Sequence, residues 1–147
     1  MVWPGTAKRS LEVKALARRL LPGQDLYLEL LKLAQAEKLE AAVILSAVGS
    51  LNKAAIRFAD QVDRTLVKGP VEIVSITGTI SRAGSNVHIS VSDHNGTTTG
   101  GHLTEGSSVY TTVEVVIMDL SSSFIFDRAL CQLSNFEEIL IKSKDAG

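Results

Sequence analysis

All three histidines of the chain lie between residues 88 and 102, at His88, His94 and His102. Imidazole ligates transition metals and titrates near neutral pH, so their concentration in one stretch marks where chemistry is to be sought. Asn86-Val87-His88-Ile89-Ser90-Val91-Ser92 alternates polar and apolar residues, the pattern of a strand with one wet face and one core face. Asp93-His94-Asn95-Gly96-Thr97 follows, and Asn-Gly is a strong hairpin signal. Whether the imidazoles meet depends on register. A two-residue loop at Asn95-Gly96 opposes Ile89 to His102 and separates the histidines. A three-residue loop, with Gly96 left-handed as a bulge, opposes His88 to His102. So does the shorter loop if an extra residue is accommodated at Gly100-Gly101. His94 sits on the turn and faces solvent in every register.

Other residues could join such a site. Glu105 would be a general acid or base if it turned back onto the polar face. Arg57 would bind a substrate carboxylate bidentately. The structural alternatives are a solvated or turn-capping Glu105, a surface or interface Arg57, and a hydrogen-bonded His88–His102 pair in a polar strand face. Gly100-Gly101 has neither the spacing nor the following helix of a phosphate-binding loop, and reads as a close backbone approach or a bulge. The chain has one cysteine, Cys131, which excludes an intrachain disulfide and is expected as a small buried core residue. Lys8, Arg9, Lys14, Arg18 and Arg19 give a basic start opposed only by Glu12. That start is open to three readings: a nucleic-acid-contacting arm, a targeting segment, or a solvated tail leading into a first strand at 13–20.

The elements that would position these residues follow an α+β pattern. Pro22-Gly23-Gln24 breaks the first strand, and Asp25 offers an N-cap oxygen. Leu26, Leu30, Leu33 and Ala34 recur at helical spacing, predicting a helix to about Leu39. Residues 41–48 are a nearly unbroken apolar run, expected as a central strand buried on both faces. Gly49-Ser50-Leu51-Asn52 reads as a turn before a strand at 54–59 carrying Arg57. Residues 60–68 read as a loop or strand edge, and Gly69-Pro70 introduces a β-branched strand at 71–80. The histidine hairpin, a long strand at 109–120 and short closing strands at 124–126 and 139–141 complete the chain. One main helix packed on a curved, largely antiparallel sheet of about seven to eight strands is predicted.

Composition bounds the function. A chain of 147 residues with 45% hydrophobic and 21% charged residues is one globular domain. A formal net charge of -1 argues against a protein that wraps nucleic acid over its whole surface. No apolar run approaches membrane-spanning length and no segment reads as a signal peptide, so a cytoplasmic location is expected, or a nuclear one in a eukaryote.

The residues resemble those of the PPC domain, conserved between plants and prokaryotes. Leu20-Leu21-Pro22-Gly23-Gln24-Asp25-Leu26 is similar to its helix entry, Ile44-Leu45-Ser46-Ala47-Val48-Gly49-Ser50-Leu51 to its central strand, and the run from Gly69-Pro70-Val71-Glu72 to Gly78-Thr79 to the next. The most specific similarity is Val87-His88-Ile89-Ser90-Val91-Ser92-Asp93 with Gly100-Gly101-His102-Leu103 and Glu105-Gly106. The resemblance divides the chain into a basic segment at 1–12, a PPC domain at 13–141 and a tail at 142–147.

That resemblance implies a single helix on a strongly curved antiparallel sheet and assembly as a homotrimer. Plant members follow AT-hook motifs and act in transcription regulation through association with themselves and other proteins. Prokaryotic members often stand alone as candidate DNA-binding proteins. The fold also resembles that of acetolactate decarboxylase, whose metal is held by histidines. Family members often carry His-x-His before the turn and Gly-Gly-His after it. Here His88 and His102 match two of those positions and Asn86 stands at the third. The implied cofactor is zinc or another divalent transition metal, with Asn86 as a weak ligand or holder of a ligating water, or a neighbouring subunit completing the set.

Two functions are therefore expected to compete. One is a homotrimeric interaction module in DNA-associated regulation, with Lys8, Arg9 and Lys14 as the only candidates for nucleic-acid contact; direct DNA binding is weak or absent, since no Arg-Gly-Arg-Pro core is present. The other is a metal-dependent enzyme acting on a small carboxylate or carbonyl compound at His88 and His102, with Glu105 and Arg57 auxiliary.

Overall fold

The computed structural model describes residues 13–144. In chain order the elements are β1 (Lys14–Leu20), α1 (Leu26–Ala36), β2 (Ala42–Arg57), β3 (Thr65–Ser81), β4 (Gly84–Ser92), β5 (Thr98–Leu103), β6 (Val109–Asp119), β7 (Phe124–Cys131) and β8 (Phe136–Ser143). One helix packs on a six-stranded sheet of order β1-β6-β2-β3-β4-β5, with β7 and β8 forming a separate two-stranded sheet. Every ladder is antiparallel, as the α+β expectation required. Among the described residues no helix is long and apolar enough to cross a membrane.

Asp25 starts the helix and anchors it. Its Oδ1 accepts the Leu28 N–H at 3.0 Å, and its Oδ2 accepts the Gly106 N–H at 2.7 Å from the β5–β6 connection. Leu26, Leu30, Leu33 and Ala34 bury the predicted stripe. The helix stops at Ala36, short of the expected Leu39, because Lys38 turns left-handed at φ 54. Leu39 still joins the core: its N–H donates to the Ala34 carbonyl at 2.9 Å, and its side chain is buried.

The sheet curls far enough to meet itself. Besides its ladder with β4, β5 pairs with the far end of β2 through Ile56–Leu103 and Arg57–His102, so β2, β3, β4 and β5 form a closed ring of hydrogen-bonded strands. Val87, Ile89, Val91, Ile56 and Leu103 are buried in the same apolar cluster as the helix stripe.

Several boundaries differ from the sequence expectation for local reasons. The turn expected at Gly49-Ser50-Leu51-Asn52 is a bulge inside one 16-residue strand, with a register shift between Leu51 and Lys53. Asn52 is held there by β6, its side chain donating to the Val109 carbonyl at 2.9 Å and its backbone N–H to the Ser108 carbonyl at 2.8 Å. β3 begins at Thr65 because residues 65–68 pair with residues 53–56 of β2, which supplies backbone partners for a polar segment. Residues 41–48 are not buried on both faces: Leu45 and Val48 are exposed, because no element among the described residues covers that side. The closing strands are longer than expected and form an arm, with Ser81 Oγ donating to the Phe126 carbonyl at 2.7 Å. Cys131 ends β7 on that arm and is half-buried rather than in the core.

Candidate functional site

Loop geometry fixes the histidines. The Asp93 N–H donates to the Thr97 carbonyl at 3.0 Å, which leaves a three-residue loop, and Gly96 takes φ 80 at its end. Asp93 Oδ1 accepts the N–H groups of Asn95 and Thr97 at 2.9 and 3.0 Å and holds the turn. The ladder then runs without a shift from Ser92–Thr98 to His88–His102, so of the registers open in the sequence it is the three-residue loop that brings the imidazoles together. The rings meet edge-on, with centroids 5.5 Å apart and planes at 78°.

Gly100-Gly101 lies inside this ladder with no bulge. Its meaning is close approach: a Cβ on Gly101 would stand 2.7 Å from the Arg57 carbonyl oxygen. Glycine therefore lets β5 close onto β2, which sets Arg57 opposite His102. Because directly opposed residues share a face, Arg57, His102, His88 and Thr77 form one row across β2, β5, β4 and β3. Asn86, two residues before His88, lies on the same face.

Arg57, His102 and His88 of the row line a cavity of ≈ 600 Å³ that also takes in Asn86, Ser85 and Arg128. Arg128 comes from the β7–β8 arm, which reaches over the start of β4; its guanidinium stem lies against Gly84. Tyr27 of the helix and Phe136, Glu137 and Glu138 of β8 complete the wall. Partial burial lowers the pKa of His102 below the usual histidine value, and the positive charges of Arg57, His88 and Arg128 add to the effect. Its imidazole is accordingly biased toward the neutral form.

The other expected residues are elsewhere. Glu105 does not turn back onto the polar face: it is exposed, its backbone carbonyl accepts Arg64 Nη1 at 2.9 Å, and it does not line the cavity. His94 is exposed on the turn, in a separate depression beside Tyr110. Lys14 opens β1, the edge strand at the opposite end of the sheet order from β5. Lys8 and Arg9 lie outside the described residues. Sequence reasoning missed Arg128, Ser85 and Tyr27, since their approach depends on how the arm and the helix dock, and no local pattern encodes that.

The donor set can be compared with the metal that the family resemblance implies. His88 and His102 are adjacent and share a cavity with the Asn86 amide, but no cluster of three His, Cys, Asp or Glu side chains is present among the described residues. Within one chain the set is one imidazole short.

A strongly curled antiparallel sheet carrying a paired-histidine hairpin defines a PPC-type domain. The chain matches the Plants and Prokaryotes Conserved (PCC) domain over residues 9–121 and belongs to that family. It is 41% identical over 124 residues to the bifunctional protein GlmU of Synechococcus sp. (strain JA-3-3Ab), covering 84% of this chain but only 20% of that relative's length. A solved hypothetical protein from Salmonella cholerae-suis is 36% identical with a TM-score of 0.88, over 92% of this chain and 98% of that one. A metal-containing protein from Archaeoglobus fulgidus is 26% identical with a TM-score of 0.77, over 92% and 99%.

Proposed function

We propose that the chain is an assembly and protein-interaction module, a homotrimer that takes part in DNA-associated regulation. The observation that carries this reading is the uncovered face of the middle of the sheet. Leu45, Val48 and Val74 are 50%, 63% and 59% exposed, on β2 and β3, which have strands on both sides in the sheet. Covering such side chains is worth about 1.5–3 kcal/mol each for complete burial, and apolar patches on central strands mark contact surfaces. The apolar run at 41–48, too apolar for a half-wet strand, makes sense if further copies of the chain cover that face. DNA association then comes through partners or the basic residues Lys8, Arg9 and Lys14, since a net charge of -1 gives little counterion release. Light scattering on the wild type and on a Val48→Asp, Val74→Asp variant tests the reading. A trimer that becomes a monomer with unchanged circular dichroism supports it; equal masses for the two proteins oppose it.

The neutral bias of His102 favours a second reading, since neutral imidazole is the metal-ligating form. In it, His88 and His102 hold a divalent transition metal with Asn86, or with a donor from a neighbouring copy, and the site works on a small carboxylate or carbonyl compound. A bound metal would supply Lewis-acid character; the chain's own part is to orient the ligand through Arg57. Elemental analysis of the purified protein and of a His88→Ala, His102→Ala variant decides it. Stoichiometric metal lost in the variant supports the reading, and no metal under any loading condition removes it.

A further inference from the structure

The cavity beside the histidine pair is rich in unused donors. Arg57 spends one N–H on the Gln61 carbonyl at 3.3 Å, and the Arg128 guanidinium has no hydrogen-bond or ion-pair partner among the described residues. Both are half-buried, so two cations are drawn partly out of water against the same wall as His88 and His102 without forming an ion pair among the described residues.

Two carboxylates are at hand and are not used. Glu137 and Glu138 stand at the β8 rim, yet neither pairs with either guanidinium; Glu138 instead accepts the Ser134 hydroxyl at 3.0 Å. A rim carboxylate that leaves the arginines free is consistent with a cavity whose counter-ion arrives from solution.

We propose that Arg57 of the sheet and Arg128 of the arm form a binding site for a small oxyanion, a carboxylate or phosphate group, closed by the β7–β8 hairpin. Each guanidinium fork suits two oxygens of such a group. The site borrows the histidine cavity of the second reading but requires no metal. Its new content is the arm: the sheet supplies only one of the two cations.

Calorimetric titration of EDTA-treated protein tests this, with malonate and inorganic phosphate as separate probes. Saturable binding of either probe at one site per chain is expected, and the probe that binds assigns the class. Arg128→Gln should weaken it by at least about tenfold, the loss of one charge-assisted contact. No saturable binding of either probe, or an unchanged affinity in Arg128→Gln, overturns the proposal. If Arg128→Gln does not fold, Arg128→Lys takes its place, and a several-fold loss is still expected because an ammonium lacks the fork. Metal content in the Arg128 variants should equal the wild type, so a failed anion site and a failed metal site give different results.

Discussion

His102 is the residue at which burial and charge act in the same direction. Partial desolvation comes first, and the cations of Arg57, His88 and Arg128 reinforce it, so the folded protein binds a proton at His102 less readily than the unfolded chain does. The sign for stability follows directly: the contribution is complete above the unfolded pKa, about 6.5, and is lost as pH falls through the lower folded value. Denaturant titrations in EDTA from pH 8 to pH 5 should show the wild type losing more stability than His102→Gln. Parallel curves for the two proteins would contradict that environment. The pairing of His88 with His102 was legible in the sequence in two of three readings, because alternation and Asn-Gly specify a hairpin but not its loop length. Gly96 at φ 80 and the Asp93–Thr97 contact settle it. For Glu105 the sequence left two positions open, turned back onto the polar face or solvated, and the structure has it exposed with its carbonyl accepting from Arg64.

At the scale of elements, the site depends on β5 closing onto β2. Gly101 permits that approach, since a Cβ there would meet the Arg57 carbonyl oxygen at 2.7 Å and Ile56 Cγ2 at 2.8 Å. Gly101→Val should therefore force the strands apart, lower stability by about 1–3 kcal/mol and shift the His102 resonances, as read by urea denaturation and NMR. A variant with wild-type stability and unchanged imidazole signals would mean that the ring closure does not position the row. Strand-forming segments such as 71–80 and 109–120 were readable because they are β-branched and bounded by breakers. The bulge at Leu51–Lys53 was not, since Gly-Ser-Leu-Asn has the composition of a turn and only its bonds to Ser108 and Val109 keep it in the strand. The β7–β8 arm was underestimated because its connection is polar and none of its strand residues is fully buried, so burial patterning is weak.

At the scale of the whole molecule, one fact links sequence and assembly. The run at 41–48 is as apolar as a strand covered on both sides, yet the described residues of one chain cover only one, leaving Leu45 and Val48 exposed, as is Val74 of β3. The expectation of burial on both faces fails for the chain by itself and becomes intelligible if neighbouring copies supply the missing layer. The same assembly would bring three histidine cavities onto one particle, each with two imidazoles and one amide of its own. The most direct test is the solution mass of the wild-type protein by light scattering across a range of concentrations. The account predicts three times the 15.7 kDa chain mass, falling to one chain mass in Val48→Asp, Val74→Asp. A wild-type protein that stays at one chain mass at every concentration would contradict it.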